Sequence, residues 1–212
     1  KKEFVKSDER LPFGLPKSDN GNYMWIQYFH SYLNESGRAG FVMAASATDA
    51  GSSEKDIRKK LIESGDVEAI VSIGNNFFYT RSLPCHVWFF NKGKKAENKD
   101  KILMIDARKT FRKVNQTIND FSPEQLEGLT TIIKGFRGED VDFTINEWLK
   151  EKFKNAVYED IEGFCKIASM DEIVENDYSL SPGRYVGFTI DIDENFNYQE
   201  RIHEINSELS NL

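Results

Sequence analysis

The chain has 212 residues, a formal net charge of −7 and 30% charged side chains. That length can bury a real core, as one domain or a domain and a half, and no apolar run approaches the ~20 residues of a membrane span. The negative balance argues against strong DNA binding by this chain alone, since DNA affinity rests mainly on phosphate neutralisation by Lys and Arg.

Lys1–Gly21 is polar, carries Pro12, Pro16 and Gly14, and reads as a loop. Asn22 is expected to cap a helix whose apolar face is Ile26, Phe29, His30 and Leu33. Arg38–Ala45 is an apolar run of strand length, followed by a loop at Thr48–Ser53. Ser53 with Asp56 predicts a capping box for the next helix, which buries Ile57, Leu61 and Ile62 and stops at Gly65. Val67–Ile73 reads as a buried strand. This strand–helix–strand order predicts a right-handed parallel crossover, with ligands beyond the strands' carboxyl ends.

The most informative stretch begins there. Between Val67–Ile73 and a second strand at Val87–Phe90 stands Asn75-Asn76-Phe77-Phe78-Tyr79-Thr80. Three aromatics occupy positions where turn chemistry favours Gly, Asp or Ser. Aromatics beside hydrogen-bonding amides suit a flat, polar-edged ligand such as a nucleobase. They would equally well plug the end of a sheet. Pro84 shapes the way into the second strand, and Trp25 and Trp88 read as core.

A Lys-rich loop then leads to a short strand at Ile102–Ile105. Ser122, Pro123 and Gln125 begin a helix with a cap, a proline at its first position and a capping-box partner. Its buried face is Leu126, Leu129, Ile132, Ile133 and Phe136, and Gly138 closes it. Ser169 and Glu172 cap a brief helix. Arg201–Leu212 carries a narrow stripe of Ile202, Ile205 and Leu209. Cys85 and Cys165 are isolated and read as buried free thiols in a reducing compartment. His30, His86 and His203 lack metal-ligand spacing, so no metal site is expected.

Charge is uneven. From Asn91 to Lys113, Lys92, Lys94, Lys95, Lys99, Lys101, Arg108, Lys109, Arg112 and Lys113 face only Glu97, Asp100 and Asp106. From Glu139 onward eighteen acidic side chains face six basic ones. This points to one DNA-facing surface and one facing away, unless the lysines belong to a solvated loop.

Several segments, in order, resemble the modification (methyltransferase) subunit of type I restriction-modification systems, in the N6-adenine DNA methylase family. They are Asn22–Gln27, Gly37–Ala44, Ile57–Ile62, Asn75–Phe90, Ile105–Arg108, Phe136–Gly138 and Asp177–Val186. The resemblance covers nearly the whole chain. It implies an α/β fold: the C-terminal part of a Rossmann-like, S-adenosylmethionine-dependent methyltransferase sheet, with a helical or mixed C-terminal appendage. Residues 1–113 would be the sheet part and 114–212 the appendage, a subunit-assembly region. That family holds S-adenosylmethionine on a Gly-rich loop and the target adenine at an Asn-Pro-Pro-Phe motif. Neither occurs here; Leu11-Pro12-Phe13-Gly14 lacks the Asn and one Pro. The chain therefore looks like the part just past the catalytic motif and contributes no catalytic residue of its own.

The resemblance implies DNA, the specificity subunit and the restriction subunit as partners, and a cytoplasmic location. It places target-base stacking on Phe77, Phe78 and Tyr79. Consecutive side chains of extended backbone point opposite ways, so Phe77 and Phe78 are not expected to stack together. Asn75, Asn76, Lys17, Asn22 and Arg81 are candidates for base or DNA contact. Lys17, Asn20 and Asn22 read equally as a loop and a helix cap, and Arg81 as a partner for an acid. Tyr178, Leu180, Arg184 and Tyr185 form an anchor-rich segment that would either meet a partner subunit or dock on its own chain as an edge strand. The parent would be a DNA adenine methyltransferase; the alternative is a non-catalytic assembly module of a DNA-modification complex.

Overall fold

The structure, a computed structural model, describes residues 8–17 and 21–187. The stripe of Ile202, Ile205 and Leu209 lies outside them, as does Asn20.

Strand β2 (Val67–Ile73) is buried at all seven positions, as its continuous apolar run requires. It lies at the centre of a five-stranded sheet with β1 (Arg38–Ala44), β3 (Cys85–Asn91), β4 (Lys101–Asp106) and β7 (Cys165–Ser169). The order is β1-β3-β2-β4-β7. β3 runs antiparallel to both β1 and β2, β2 pairs parallel with β4, and β7 pairs antiparallel with β4. The expected parallel connection from β1 through a helix to β2 is present, but the two strands are not neighbours. β1 and β2 do run in the same direction, but β3 is inserted between them. Its sequence explains the insertion. Trp88 and Phe90 belong to the core on one face of the sheet, while Val87 and Phe89 pack on the other. A strand with apolar residues on both faces is suited to an interior position.

Helices cover both faces. α1 (Asn22–Ser31) and α2 (Ser53–Glu63) supply Tyr23, Ile26, Ile57, Leu61 and Ile62 to the core that contains Phe41, Ile70, Trp88 and Met104. On the opposite face, α3 (Pro123–Phe136) and α4 (Glu147–Lys152) pack Leu129, Ile132, Ile133, Phe136 and Leu149 against Val71, Leu103 and Ile105. Residues 114–187 are thus no separate appendage: α3 covers the sheet and β7 extends it. A short hairpin, β5 (Arg112–Lys113) with β6 (Asn119–Asp120), precedes α3.

The capping boxes expected at Ser122/Gln125 and Ser169/Glu172 both form, the second opening α5 (Met170–Glu175). The one at Ser53/Asp56 does not. The cap of α2 is Ser52 at φ 56°, and it makes no side-chain cap bond. Gly21, not Asn22, precedes α1. Trp25 is 55% exposed rather than core, and Leu126 of α3 faces solvent. Both cysteines are buried free thiols.

The structure also buries charge that no local pattern announces. Glu68 lies inside β2 and accepts two forked bonds from Arg137, Nη2 to Oε2 at 2.7 Å and Nε to Oε1 at 2.9 Å. Asn91 Nδ2 donates to the same carboxylate at 2.6 Å. Beside it, Lys94 Nζ donates to the Val67 and Lys101 carbonyls at 2.9 and 2.7 Å. Burial pushes the Lys94 ammonium down to about 8. This lysine holds three segments together and is not part of a DNA-facing surface.

Removing one partner of a buried pair leaves the other uncompensated. Arg137→Met is expected to destabilise the chain by about 3–5 kcal/mol. A smaller Glu68→Gln/Arg137→Met penalty than the sum of the two single changes, read by denaturant melts, checks that the cost is the orphaned charge.

Candidate functional site

The carboxyl ends of β1, β2 and β4 and the amino end of β3 share one edge of the sheet. Because β3 returns antiparallel from β2, the whole connection at residues 74–84 must sit on that edge. It opens with Gly74, where an added Cβ would lie 2.8 Å from the Arg108 carbonyl oxygen; no larger residue passes this close to the chain leaving β4. Asn76 takes φ 69°, and its Oδ1 accepts from Ser82 Oγ at 2.5 Å. Asn76 thus turns the chain at an angle that Asn tolerates better than most residues.

The β5–β6 hairpin braces this loop from below. Asn119 N donates to the Asn76 carbonyl at 2.8 Å, and Asn119 Nδ2 to the Asn75 carbonyl at 3.1 Å. Phe77 packs on Phe121, ring centroids 4.8 Å apart, at the margin of the α3-side core. Phe78 and Arg81 form an isolated antiparallel bridge. Phe78 is 40% exposed and Tyr79 88% exposed. The aromatics therefore divide as the alternation argument requires: Phe77 plugs the sheet end, and Phe78 and Tyr79 project with Leu83 into solvent. Arg81 is exposed and makes no ion pair among the described residues.

Across the edge lies the turn at Ala45–Asp49 that follows β1. Tyr23 Oη donates to the Ala47 carbonyl at 2.6 Å and ties α1 to it. Thr48 Oγ1 donates to the Ala45 carbonyl at 2.8 Å and lies 3.2 Å from His86 Nδ1. With the threonine proton committed, Nδ1 carries the hydrogen and donates to Thr48, and Nε2 keeps the lone pair. Burial first, and the charge of Arg108 second, push His86 down to about 4. The imidazole is therefore neutral at physiological pH. Arg108 itself is forked onto Asp106 at 2.8 and 2.5 Å. Lys17 and Asn22 belong to this side. Lys17 is exposed, with its backbone N donating to Glu54 at 3.2 Å, and Asn22 is half-buried as the first residue of α1.

The segment around Tyr178–Val186 docks on its own chain, yet as a turn rather than an edge strand. Leu180 is fully buried and its N donates to the Thr48 carbonyl. Tyr185 is buried, with Oη donating to the Ser179 carbonyl at 2.5 Å. Arg58 Nε donates to the Tyr178 carbonyl at 2.7 Å, and Lys59 lies over the Tyr178 ring. Leu180 and Tyr185 are thereby taken up intramolecularly, which corrects their assignment to a partner surface. Arg184 remains at the surface, 3.5 Å from Asp49, on a cavity of about 130 Å³ lined also by Lys55, Arg58 and Asp177.

The structure holds residues 75–81 in one loop and adds Thr48, His86, Asn119 and Phe121, which the sequence reading did not single out. Their roles depend on contacts 38 or 44 positions away in sequence, beyond any local spacing rule.

Three comparisons bear on this geometry. The family model of the N-6 DNA methylases matches residues 1–194. The type I restriction enzyme MjaIX methylase subunit of Methanocaldococcus jannaschii is 36% identical over 211 residues, covering 97% of this chain and 35% of that subunit. The type I restriction enzyme HindI methylase subunit of Haemophilus influenzae is 28% identical over 204 residues, covering 96% and 42%. The crystal structure of a type I restriction-modification methyltransferase subunit from Streptococcus thermophilus superposes with TM-score 0.71 at 27% identity, over 88% of this chain and 35% of that one. The chain spans between a third and a half of the length of these relatives.

The lowered His86 pKa fixes the sign of an acid effect. The unfolded imidazole, near 6.5, binds its proton before the folded one, near 4. Stability from this group is full above pH 6.5 and is lost as pH falls towards 4. Between pH 7 and 5 the loss is about 2 kcal/mol. Urea melts at the two pH values, with His86→Asn as the control that loses this slope, provide the check.

Proposed function

The chain belongs to the N-6 DNA methylase family, and from that premise we propose that it is part of a site-specific DNA adenine-N6 methyltransferase of a type I restriction-modification system. The methyl donor of the whole enzyme is S-adenosylmethionine, which supplies the electrophilic methyl group. The residues present here do not fit a donor site of the family's kind, because no Gly-rich donor loop or Asn-Pro-Pro-Phe motif stands in this sequence. This chain's part is to receive the target base and to carry the rest of the enzyme. The whole protein would act in the cytoplasm with DNA, a specificity subunit and a restriction subunit.

The single observation that carries the reading is the pair Phe78 and Tyr79, held out at the carboxyl edge by a loop whose backbone is fixed from beneath. Adenine must leave the duplex before its exocyclic amine can meet a methyl donor, and an aromatic face offsets the stacking it loses. Asn75 and Asn76 border this platform as candidates for edge contacts, and Arg81 for a phosphate; Lys17 and Asn22 flank the same sheet edge.

A second observation supports the idea that the sheet continues. Among the described residues β1 is an edge strand, with Val42 52% exposed on the face opposite α1, and Trp25 of α1 is 55% exposed. An open edge flanked by exposed apolar residues is a ready template for further strands. The same surface is what favours the alternative, a non-catalytic assembly module. Arg184 and the ring of Tyr178 are the residues of the later segment still placed to meet a partner subunit.

Two measurements follow. The 212-residue chain alone is expected to transfer no methyl group from labelled donor to DNA above a no-protein blank. In the complete enzyme, Phe78→Ala and Tyr79→Ala are expected to slow methylation by an amount equivalent to about 1–3 kcal/mol, with unchanged melting. Phe77→Ala, which strips the contact with Phe121, should instead lower the melting temperature. Normal methylation by both the Phe78 and Tyr79 variants would remove the base-platform reading.

A further inference from the structure

Two segments meet at the edge that carries Phe78 and Tyr79, residues 74–84 and residues 107–119. Neither contains an acidic side chain, although the chain as a whole has a net charge of −7. They are joined at two points. The Arg108 carbonyl lies close against Gly74, and Asn119 bonds the carbonyls of Asn75 and Asn76. Lys109 directly follows the first contact, and Lys113 is the strand partner of Asn119 in the β5–β6 hairpin. Arg81 is the bridge partner of Phe78 within the loop.

The acids that flank these segments are already taken. Arg108 is forked onto Asp106, and Arg112 onto Asp120 at 2.9 and 2.6 Å. Arg81, Lys109 and Lys113 are exposed, and their side chains make no hydrogen bond or ion pair among the described residues. Lys92, Lys94 and Lys95 differ, because they hold carbonyls towards the opposite edge. The hairpin that carries Lys113 is ordered by its own bonds. Val114 N donates to the Ile118 carbonyl at 2.9 Å, and Thr117 N to Asn115 Oδ1 at 2.9 Å. Residues 112–117 are nevertheless exposed throughout. An ordered projection with unpaired cations, bonded to a loop with exposed rings, offers what a nucleic-acid strand needs: charge for its backbone and an aromatic face for a base. Lysine, a point charge on a flexible stem, suits a phosphodiester better than a contact that demands forked geometry.

We propose that the β5–β6 hairpin is a backbone clamp for the target strand, in which Lys109 and Lys113, together with Arg81, take the phosphates on either side of the displaced adenine. The clamp rests on the reading of the chain as part of a DNA methyltransferase. Because Asn119 belongs to the hairpin and bonds the loop, backbone and base are received by one hydrogen-bonded unit.

The complete enzyme, assembled with its specificity subunit, is measured on a duplex that holds its recognition sequence. Lys109→Gln/Lys113→Gln should melt normally, because both side chains are exposed. Two lost phosphate contacts should flatten the slope of log affinity against log salt by about two, and Arg81→Gln by about one more. Between about 50 and 200 mM salt the parent then loses roughly tenfold more affinity than the double variant. Neutral methylphosphonates in place of the phosphates flanking the target adenine should weaken the parent and leave the double variant unchanged. Lys109→Arg/Lys113→Arg should behave as the parent. An unchanged salt slope, or equal losses by parent and variant on the methylphosphonate duplex, would overturn the clamp; methylation lost in Phe78→Ala would then leave the base reading standing without it. A flattened slope beside normal methylation by Phe78→Ala and Tyr79→Ala would keep the clamp and remove the platform. Lost co-elution with the specificity subunit, with the DNA affinity of the assembled enzyme unchanged, would overturn the clamp in favour of a protein contact.

Discussion

A carboxylate inside the central strand organises this chain. Glu68 stands in β2, which is buried at every position, and an isolated ion there would cost several kcal/mol. The fold answers with Arg137 from the end of α3 and Asn91 from the end of β3. These two contacts fix how far α3 can slide along the sheet and where β3 must end. Lys94, one turn further, then bridges the start of β2 to the start of β4. Three strands and a helix are registered at one edge by four polar side chains. Apolar packing alone, being non-directional, would not select that register.

Registration at one edge determines what happens at the other. With β2 and β3 aligned from Val67 opposite Phe90 to Ile73 opposite Cys85, residues 74–84 leave and re-enter the sheet at fixed points. The loop is too aromatic to be a simple turn, and the structure puts each ring to a different use. Phe77 closes the α3-side core against Phe121, while Phe78 and Tyr79 stay outside. Tyr79 gains almost nothing, and Phe78 only part of what full burial would give, from the hydrophobic effect in the isolated chain. Holding them there on a braced backbone makes sense for a flat partner that arrives later, because the ordering cost has been met in advance.

Much of this was legible in the sequence where the signal is local. The strands Val67–Ile73 and Val87–Phe90 follow from apolar runs, and the start of α3 from Ser122, Pro123 and Gln125 read together. The division of Phe77 from Phe78 follows from the alternation of extended backbone. What failed was non-local or conformational. Strand order is not encoded in periodicity, so β3 between β1 and β2 was invisible. Ser53 and Asp56 have the spacing of a capping box, yet Ser52 at φ 56° takes the cap position and shifts the helix start. Leu180 and Tyr185 looked like partner anchors because burial on one's own chain and burial on another have the same composition.

The basic segment is the instructive case. Residues 91–113 carry nine cations, which on charge alone reads as a DNA-facing surface. In the fold, Lys94 is buried, Arg108 and Arg112 are forked onto Asp106 and Asp120, and Lys92 and Lys95 reach the carbonyls of Leu33 and Gly138. Most of the excess is structural, and the groups around Lys94 collect at the edge away from the aromatic loop. A DNA duplex drawn to that edge by charge would be held far from the loop that carries Phe78 and Tyr79. The two edges are therefore chemically distinct: buried and paired charges hold one, and exposed aromatics mark the other.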